Sequence, residues 1–120
     1  MPGPSEVIAW QRAMDLAVNC YHLSSQLRVL RHADIASQLL RSSISVPSNI
    51  AEGHGRGTDR DFAHFLDFSM GSLREVETLV IITDRVGLSK KATSSDLLKQ
   101  ADEVGALIHG LRTAVRRRIH

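Results

Sequence analysis

The sequence predicts an all-α protein: one domain over residues 1–120, built as an antiparallel up-down-up-down bundle of four helices. Apolar residues recur at spacings of three and four along most of the chain, which is the periodicity of helices with one buried face. No segment shows the alternation of apolar and polar residues that is typical of a strand. Short polar or glycine-containing stretches separate the apolar repeats, so consecutive helices are expected to run antiparallel.

The first helix is predicted over about residues 6–27. Ser5 is the expected N-cap, and Glu6 follows it near the positive end of the helix dipole. Trp10 is expected to anchor the core or an interface, since indoles dominate buried area. Cys20 lies on the same apolar stripe and is therefore expected in the core.

The second helix is predicted over about residues 34–53, after a short basic connection at 28–33. Asp34 is its expected N-cap. The apolar rhythm continues past Pro47, although a proline inside a helix removes a backbone donor and crowds the preceding turn. We therefore predict one helix that is kinked at Pro47 and stops at the glycines beginning with Gly53.

The third helix is predicted over about 58–86, with Thr58 and Asp61 forming a capping box. Its apolar residues occupy more than one face, which predicts a second buried face against a neighbouring subunit. The fourth helix is predicted over about 94–117, with its cap among residues 93–95. The residues expected to form its bundle seam are Leu97, Ala101, Val104, Ile108, Leu111 and Val115.

The composition is typical of a globular domain and excludes several other classes. Hydrophobic residues make up 42% of the chain and charged residues 23%, which is ordinary for a soluble protein. The single cysteine cannot form an internal disulfide, so a reducing compartment, the cytoplasm, is expected. No signal-peptide pattern is present at the N-terminus, and no apolar run approaches the ~20 residues of a membrane helix.

The stretch from Leu40 to Gly53 reads LRSSISVPSNIAEG. It resembles the signature of the small four-helix-bundle proteins encoded in intervening sequences of 23S ribosomal RNA genes, and the Pro-x-Asn-Ile-Ala-Glu-Gly core is its specific part. Where relatives usually have Tyr-Gly-Leu before the second helix, this chain has Ala33-Asp34-Ile35. The further matches to the family pattern are Trp10-Gln11, Ala13, Leu16, Phe62 to Leu66, Gly71-Ser72, Glu75, Glu77 and Val86-Gly87-Leu88.

The resemblance implies that the polar members of this signature are structurally important. Asn49 and Glu52 are three residues apart, and Glu52 and Arg56 four apart, so their side chains can meet on one helical face. We predict a polar or ionic network that holds the second helix against the third. The structural residues implied by the family motif are Pro47, Asn49, Glu52, Gly53, Arg56, Glu75 and Glu77.

The resemblance also implies an assembly. The resembled family is related to the accessory variability determinant of diversity-generating retroelements, which forms pentameric barrels and engages a reverse transcriptase and nucleic acid. The resemblance implies that the chain is a homo-oligomer, a ring of five subunits, and that RNA or DNA and a reverse transcriptase are the partners to expect. The spacing of the residues does not by itself give the number five.

Catalytic and metal-binding patterns are weak, and we predict a protein that is not an enzyme and needs no cofactor. Asp61 and His64 share a helical face, but the chain lacks the Glu-x-x-His pairs of di-iron bundles. The serines before Pro47 lack the strand-to-helix elbow of a hydrolase nucleophile. The glycines at 55 and 57 lack a Walker lysine and a preceding strand.

The basic residues are the strongest candidates for a binding function. The net charge is only +2, but no acidic residue follows Glu103, so positive charge collects at the C-terminus. We predict that any nucleic-acid binding is electrostatic, because aromatic residues make up only 4% of the chain. The alternative is a structural or protein-interaction module without nucleic-acid contact. The predicted phosphate-contacting residues are Arg112, Arg116, Arg117, Arg118, Lys90, Lys91 and Arg28.

Overall fold

The computed structural model describes residues 3–119 and has the predicted all-α architecture. The described residues contain no strand. Helix-to-helix packing follows a square: α1 and α3 each pack on α2 and α4, and no diagonal pair packs within residues 3–119. The four helices are α1 (Pro4–Val29), α2 (Ala33–Gly55), α3 (Asp59–Arg85) and α4 (Lys91–Arg117).

One face of each helix fills the core. All six residues of the predicted α4 seam are buried, which confirms that part of the pattern. Cys20 is buried on α1, also as predicted. Fully buried leucine, isoleucine and valine side chains come from all four helices, so a single apolar core runs along the bundle. The largest of these side chains are Leu16, Leu23, Leu27, Leu39, Ile50, Leu66, Leu73 and Ile108.

The second helix continues unbroken past Pro47, as its apolar periodicity predicts. Pro47 is buried, and the Ser69 hydroxyl of α3 donates to the carbonyl of Val46 at 2.7 Å. This hydrogen bond ties the proline turn of α2 directly to α3. The Ser43 hydroxyl donates to the Leu40 carbonyl at 2.9 Å, one turn earlier. A kink in the helix axis stays a prediction.

Three helices begin at residues that sequence reasoning did not select. The observed N-cap residues of α1, α2 and α4 are Gly3, His32 and Lys90. Pro4 suits the first helical position, so α1 starts before the predicted cap Ser5. Neither Asp34 nor residues 93–95 cap their helices. The predicted cap of α3 is confirmed, since the Asp61 N–H donates to the Thr58 hydroxyl at 3.2 Å.

Antiparallel packing gathers the helix termini at two opposite ends of the bundle. The structure measures 49 Å along its longest axis and 21 by 20 Å across. We call residues 28–35 and 84–91, which include two helix connections, the connection end. The opposite tip, residues 52–61 and 112–119, is the tail end.

The two connections at the connection end have the same backbone design. After α1, the His32 N–H donates to the Leu27 carbonyl at 2.8 Å, and Arg31 between them has a φ of 66°. After α3, Gly87 holds the equivalent position with a φ of 79°. Both ends match the Schellman motif, which requires a left-handed residue and favours glycine there. Arg31 is therefore an arginine in a glycine-type position.

Candidate functional site

An exposed apolar stripe runs along α1 beside α2. Trp10, Met14, Val18 and Tyr21 follow one another at spacings of four and three, so they lie on one side of the helix. Together with Ile44 of α2 they are between 39% and 54% exposed. We call these five residues the α1–α2 apolar face. A groove between the two helices continues this face and is further lined by Ala17, Leu40, Pro47, Ser48 and Ala51.

This surface changes the expected role of Trp10. The indole is 39% exposed in a single chain, so it does not belong to the core and remains available to an interface. Sequence reasoning placed the second apolar face on the third helix instead. That helix does expose apolar side chains, namely Phe68, Ile81 and Ile82, and its C-cap residue Val86 is exposed as well. The bundle therefore has apolar surface on two diagonally opposite helices.

The family signature places polar contacts between α2 and α3. The Asn49 amide donates to the backbone carbonyl and to the hydroxyl of Ser45, both at 2.8 Å. The Ser45 hydroxyl in turn lies 2.8 Å from the Ser72 hydroxyl on α3. Asn49 thus orients a serine that bridges the two helices. Sequence reasoning named Asn49 but did not predict the contact between Ser45 and Ser72. That contact depends on the register of α2 against α3, which the sequence pattern does not give.

The charged members of the signature form separate contacts and no single network. Arg56 lies 3.1 Å from Glu52 one turn earlier on α2, and its guanidinium stacks 4.9 Å from the centre of the Phe65 ring on α3. Glu77 pairs with Arg74 within α3 at 2.6 Å. Glu75 is exposed and has no hydrogen bond or ion pair among residues 3–119. The structure does not bring either α3 glutamate to Arg56.

The C-terminal arginines are mostly engaged with carboxylates of α3. Arg112 and Arg116 both contact Asp67, each at 3.0 Å. Arg118 lies 3.0 Å from Asp59, and this hydrogen bond raises the pKa of Arg118. Of these four arginines, only Arg117 is exposed without a hydrogen bond or ion pair to another described residue. Three of the four C-terminal arginines are therefore already paired with carboxylates.

The other predicted basic residues lie at the opposite tip of the molecule. Arg28, Lys90 and Lys91 belong to the connection end, a helix length away from the C-terminal arginines. Arg28 donates to the neutral Ser37 hydroxyl at 3.1 Å, and Lys91 lies 3.4 Å from Asp84. The structure thus separates the predicted phosphate-contacting residues into two groups. Their assignment to nucleic acid stays a prediction.

The residues considered for catalysis have ordinary structural surroundings. His64 packs edge-on against Phe68, with ring centres 4.4 Å apart. Burial raises the pKa of the Cys20 thiol to about 12, so the thiol is protonated at neutral pH. Among residues 3–119, no cluster of three metal-ligating side chains occurs, and no helix is long and apolar enough to cross a membrane.

The fold and these surfaces define a small helical bundle whose distinctive features are an apolar helix face and two charged tips. The family model described as 23S rRNA-intervening sequence protein matches residues 5–110. The chain therefore belongs to this family, as its signature predicts. No curated protein matches it.

A solved structure has the same fold. It is a crystal structure at 1.70 Å resolution of a protein of unknown function from the S23 ribosomal protein family of Bacteroides thetaiotaomicron VPI-5482. The TM-score is 0.87 over 91% of this chain and 98% of that one, at 18% sequence identity. The similarity establishes the four-helix fold for this chain.

Proposed function

We propose that this chain is a non-enzymatic helical-bundle protein that self-associates through the α1–α2 apolar face. The observation that carries the proposal is the row of half-exposed side chains from Trp10 to Tyr21, flanked by Ile44. Contiguous exposed apolar surface marks interaction sites, since burying it releases about 25 cal/mol per Å². Trp and Tyr are also the residues that most often dominate interface energetics.

The polar signature residues support a role other than catalysis. Asn49 holds the Ser45 hydroxyl that meets Ser72 of α3, and the Arg56 guanidinium lies over the Phe65 ring of α3, which gives both residues a structural task. The groove beside the apolar face is lined almost entirely by apolar side chains, so it suits a helix surface better than a polar substrate.

A closed ring is the form of assembly that we propose, with five subunits as the family resemblance implies. A ring needs two different surfaces on each subunit, because head-to-tail contacts generate it. Exposed apolar side chains on α3 and its C-cap, namely Phe68, Ile82 and Val86, are available for the second contact, on the helix diagonal to α1. We therefore expect α1 of one subunit to pack near α3 of the next.

The test compares two valine-to-glutamate variants within α1. Val18 lies in the apolar face and is 52% exposed, whereas Val29 lies at the end of α1 and is 81% exposed. Burying an unpaired carboxylate in an interface is costly, so Val18→Glu should yield monomers by light scattering while Val29→Glu keeps the oligomer. Equal dissociation of both variants would argue against this face, and circular dichroism checks that each variant is folded.

Electrostatic binding of RNA or DNA is a second candidate function. It is favoured by the sequence pI of about 9.1 and by exposed cations at both tips of the bundle. Affinity should fall steeply with salt and depend little on base sequence. Titration of labelled RNA and duplex DNA at several salt concentrations tests this. Binding that is weak at low salt and does not change as salt is added would rule it out.

A reverse transcriptase as partner rests on the family resemblance alone and is tested by co-purification.

A further inference from the structure

The connection end carries an excess of positive charge. Arginine and lysine outnumber aspartate there by five to two, and all five cations are exposed. The carboxylates are Asp34 and Asp84. The cations are Arg28, Arg31, Arg85, Lys90 and Lys91.

These cations are largely unpaired. The Lys91 ammonium lies 3.4 Å from Asp84 but is itself 89% exposed. Within residues 3–119, Arg31, Arg85 and Lys90 have no hydrogen bond or ion pair from their side chains. The tail end differs, because three of its four C-terminal arginines, Arg112, Arg116 and Arg118, lie at hydrogen-bonding distance from carboxylates. Unpaired cations can meet a phosphate without first giving up a carboxylate partner.

Helix dipoles do not explain the difference between the tips. Each tip of an antiparallel four-helix bundle receives two helix N-termini and two C-termini, so the dipole contributions largely cancel. The side-chain charges alone decide the sign of the potential. Within the ranges that define the two tips, cations outnumber carboxylates by three at each tip, so the tips differ in how their cations are paired and not in net charge.

Two of its cations occupy positions that favour other residue types. Arg31 sits at a φ of 66°, where Gly87 serves at the matching connection. Lys90 is the N-cap of α4 and makes no side-chain capping hydrogen bond, although serine, threonine, asparagine and aspartate are preferred there. Both positions retain a positive charge at the expense of local backbone stability, and such conflicts are typical of functional sites.

We propose that the connection end, and not the C-terminal arginine cluster, binds the phosphate backbone of nucleic acid. This inference rests on nucleic-acid binding as a function and adds its location. The bundle is 21 by 20 Å in cross-section, so the five cations lie within one tip. At ~3.4 Å of helix axis per phosphate on each strand of a duplex, about six base pairs span that tip.

The test uses two double variants that each remove two cations. Arg31→Gly with Lys90→Ser alters the connection end and places a preferred residue at both positions. Arg116→Ala with Arg117→Ala removes the same charge from the tail end. The probe is a fluorescein-labelled oligouridine of about 20 nucleotides, titrated across a range of salt concentrations.

We expect the connection-end variant to have a higher Tm than the parent and yet to bind the oligouridine more weakly. Its log–log salt slope should be flatter by about 1.4, since each lost contact to a single strand removes about 0.7. The tail-end variant should keep a slope within about 0.7 of that of the parent. Weaker binding by a more stable protein cannot be attributed to unfolding.

Other outcomes separate the location from the function. If the tail-end variant loses binding and the connection-end variant keeps it, the location is wrong although nucleic-acid binding stands. If the parent does not bind oligouridine at low salt, both proposals fail. Parent protein that binds phosphatidylserine vesicles but no oligouridine would overturn this inference in favour of a membrane surface.

Discussion

At Gly53 the second and third helices approach so closely that no side chain fits between them. A Cβ built there would lie 2.6 Å from the Cβ of Phe65 and 3.1 Å from Cδ1 of Phe62. The Phe65 Cβ is bonded directly to the α3 backbone, and the Phe62 carbonyl oxygen lies 3.4 Å away, so little can move aside. The signature glycine is therefore explained by helix packing and not by its freedom of φ.

Replacing Gly53 with alanine should lower the free energy of unfolding by about 1–3 kcal/mol, because the added methyl forces the helices apart. Gly110→Ala is the matched control, since a Cβ at Gly110 meets nothing within 4 Å. That change should raise stability by up to ~1 kcal/mol through helix propensity. Urea denaturation of both variants measures the difference, and a Gly53→Ala protein as stable as the parent would contradict the packing explanation.

Cys20 makes stability depend on pH at alkaline values. Burial raises the pKa of the folded thiol from its ordinary 9.0 to about 12. The unfolded chain then loses its proton first, so this contribution is complete below about pH 9 and is lost as the pH rises toward 12. Chemical denaturation should show that the difference in free energy of unfolding between the parent and Cys20→Ala is constant below about pH 9 and changes only above it. Parallel pH profiles through this range would contradict the assigned pKa.

At the scale of the helices, Asp67 fixes the C-terminal part of α4 to α3. It accepts hydrogen bonds from Arg112 and Arg116, which are one turn apart on α4. Because two arginines of α4 bind one carboxylate of α3, they fix the register of α4 against α3. We regard this cluster as a helix-positioning contact, because its charges are satisfied inside the bundle.

The Asp67→Asn variant should lose about 1 kcal/mol of stability, since the pairs are partly exposed and each is worth at most that much. Glu77→Gln is the control, because it removes an ion pair within α3 that joins no second helix. Its expected loss is only about 0.3 kcal/mol. Thermal unfolding at low salt compares the two variants. Equal losses would mean that Asp67 does not tie the helices together.

The helices themselves could be predicted well because each depends on residues close in sequence. The α4 seam from Leu97 to Val115 follows the helical period, and every member of it is buried. Contacts between helices could not be predicted, because they depend on the register of one helix against the next. Two such inter-helix contacts are the ion pair of Arg116 with Asp67 and the hydrogen bond of Ser45 with Ser72. Arg31 was missed because arginine seldom adopts a left-handed conformation.

At the scale of the whole molecule, a single chain leaves apolar side chains exposed on two helices, and the proposed self-association would bury them. The α1–α2 apolar face and the exposed side chains of α3 lie on diagonal helices. The two tips differ in charge pairing, so subunits arranged in parallel around a ring would place all connection ends on one side. Such an arrangement would multiply the cations available to a nucleic acid.

The mass of the protein in solution tests the central claim most directly. Size-exclusion chromatography with light scattering at micromolar concentration should give a defined multiple of the 13.2 kDa chain mass, with a fivefold multiple for the proposed ring. The Val18→Glu variant should give the chain mass itself. A parent protein that remains at 13.2 kDa across this concentration range would contradict self-association through the α1–α2 apolar face.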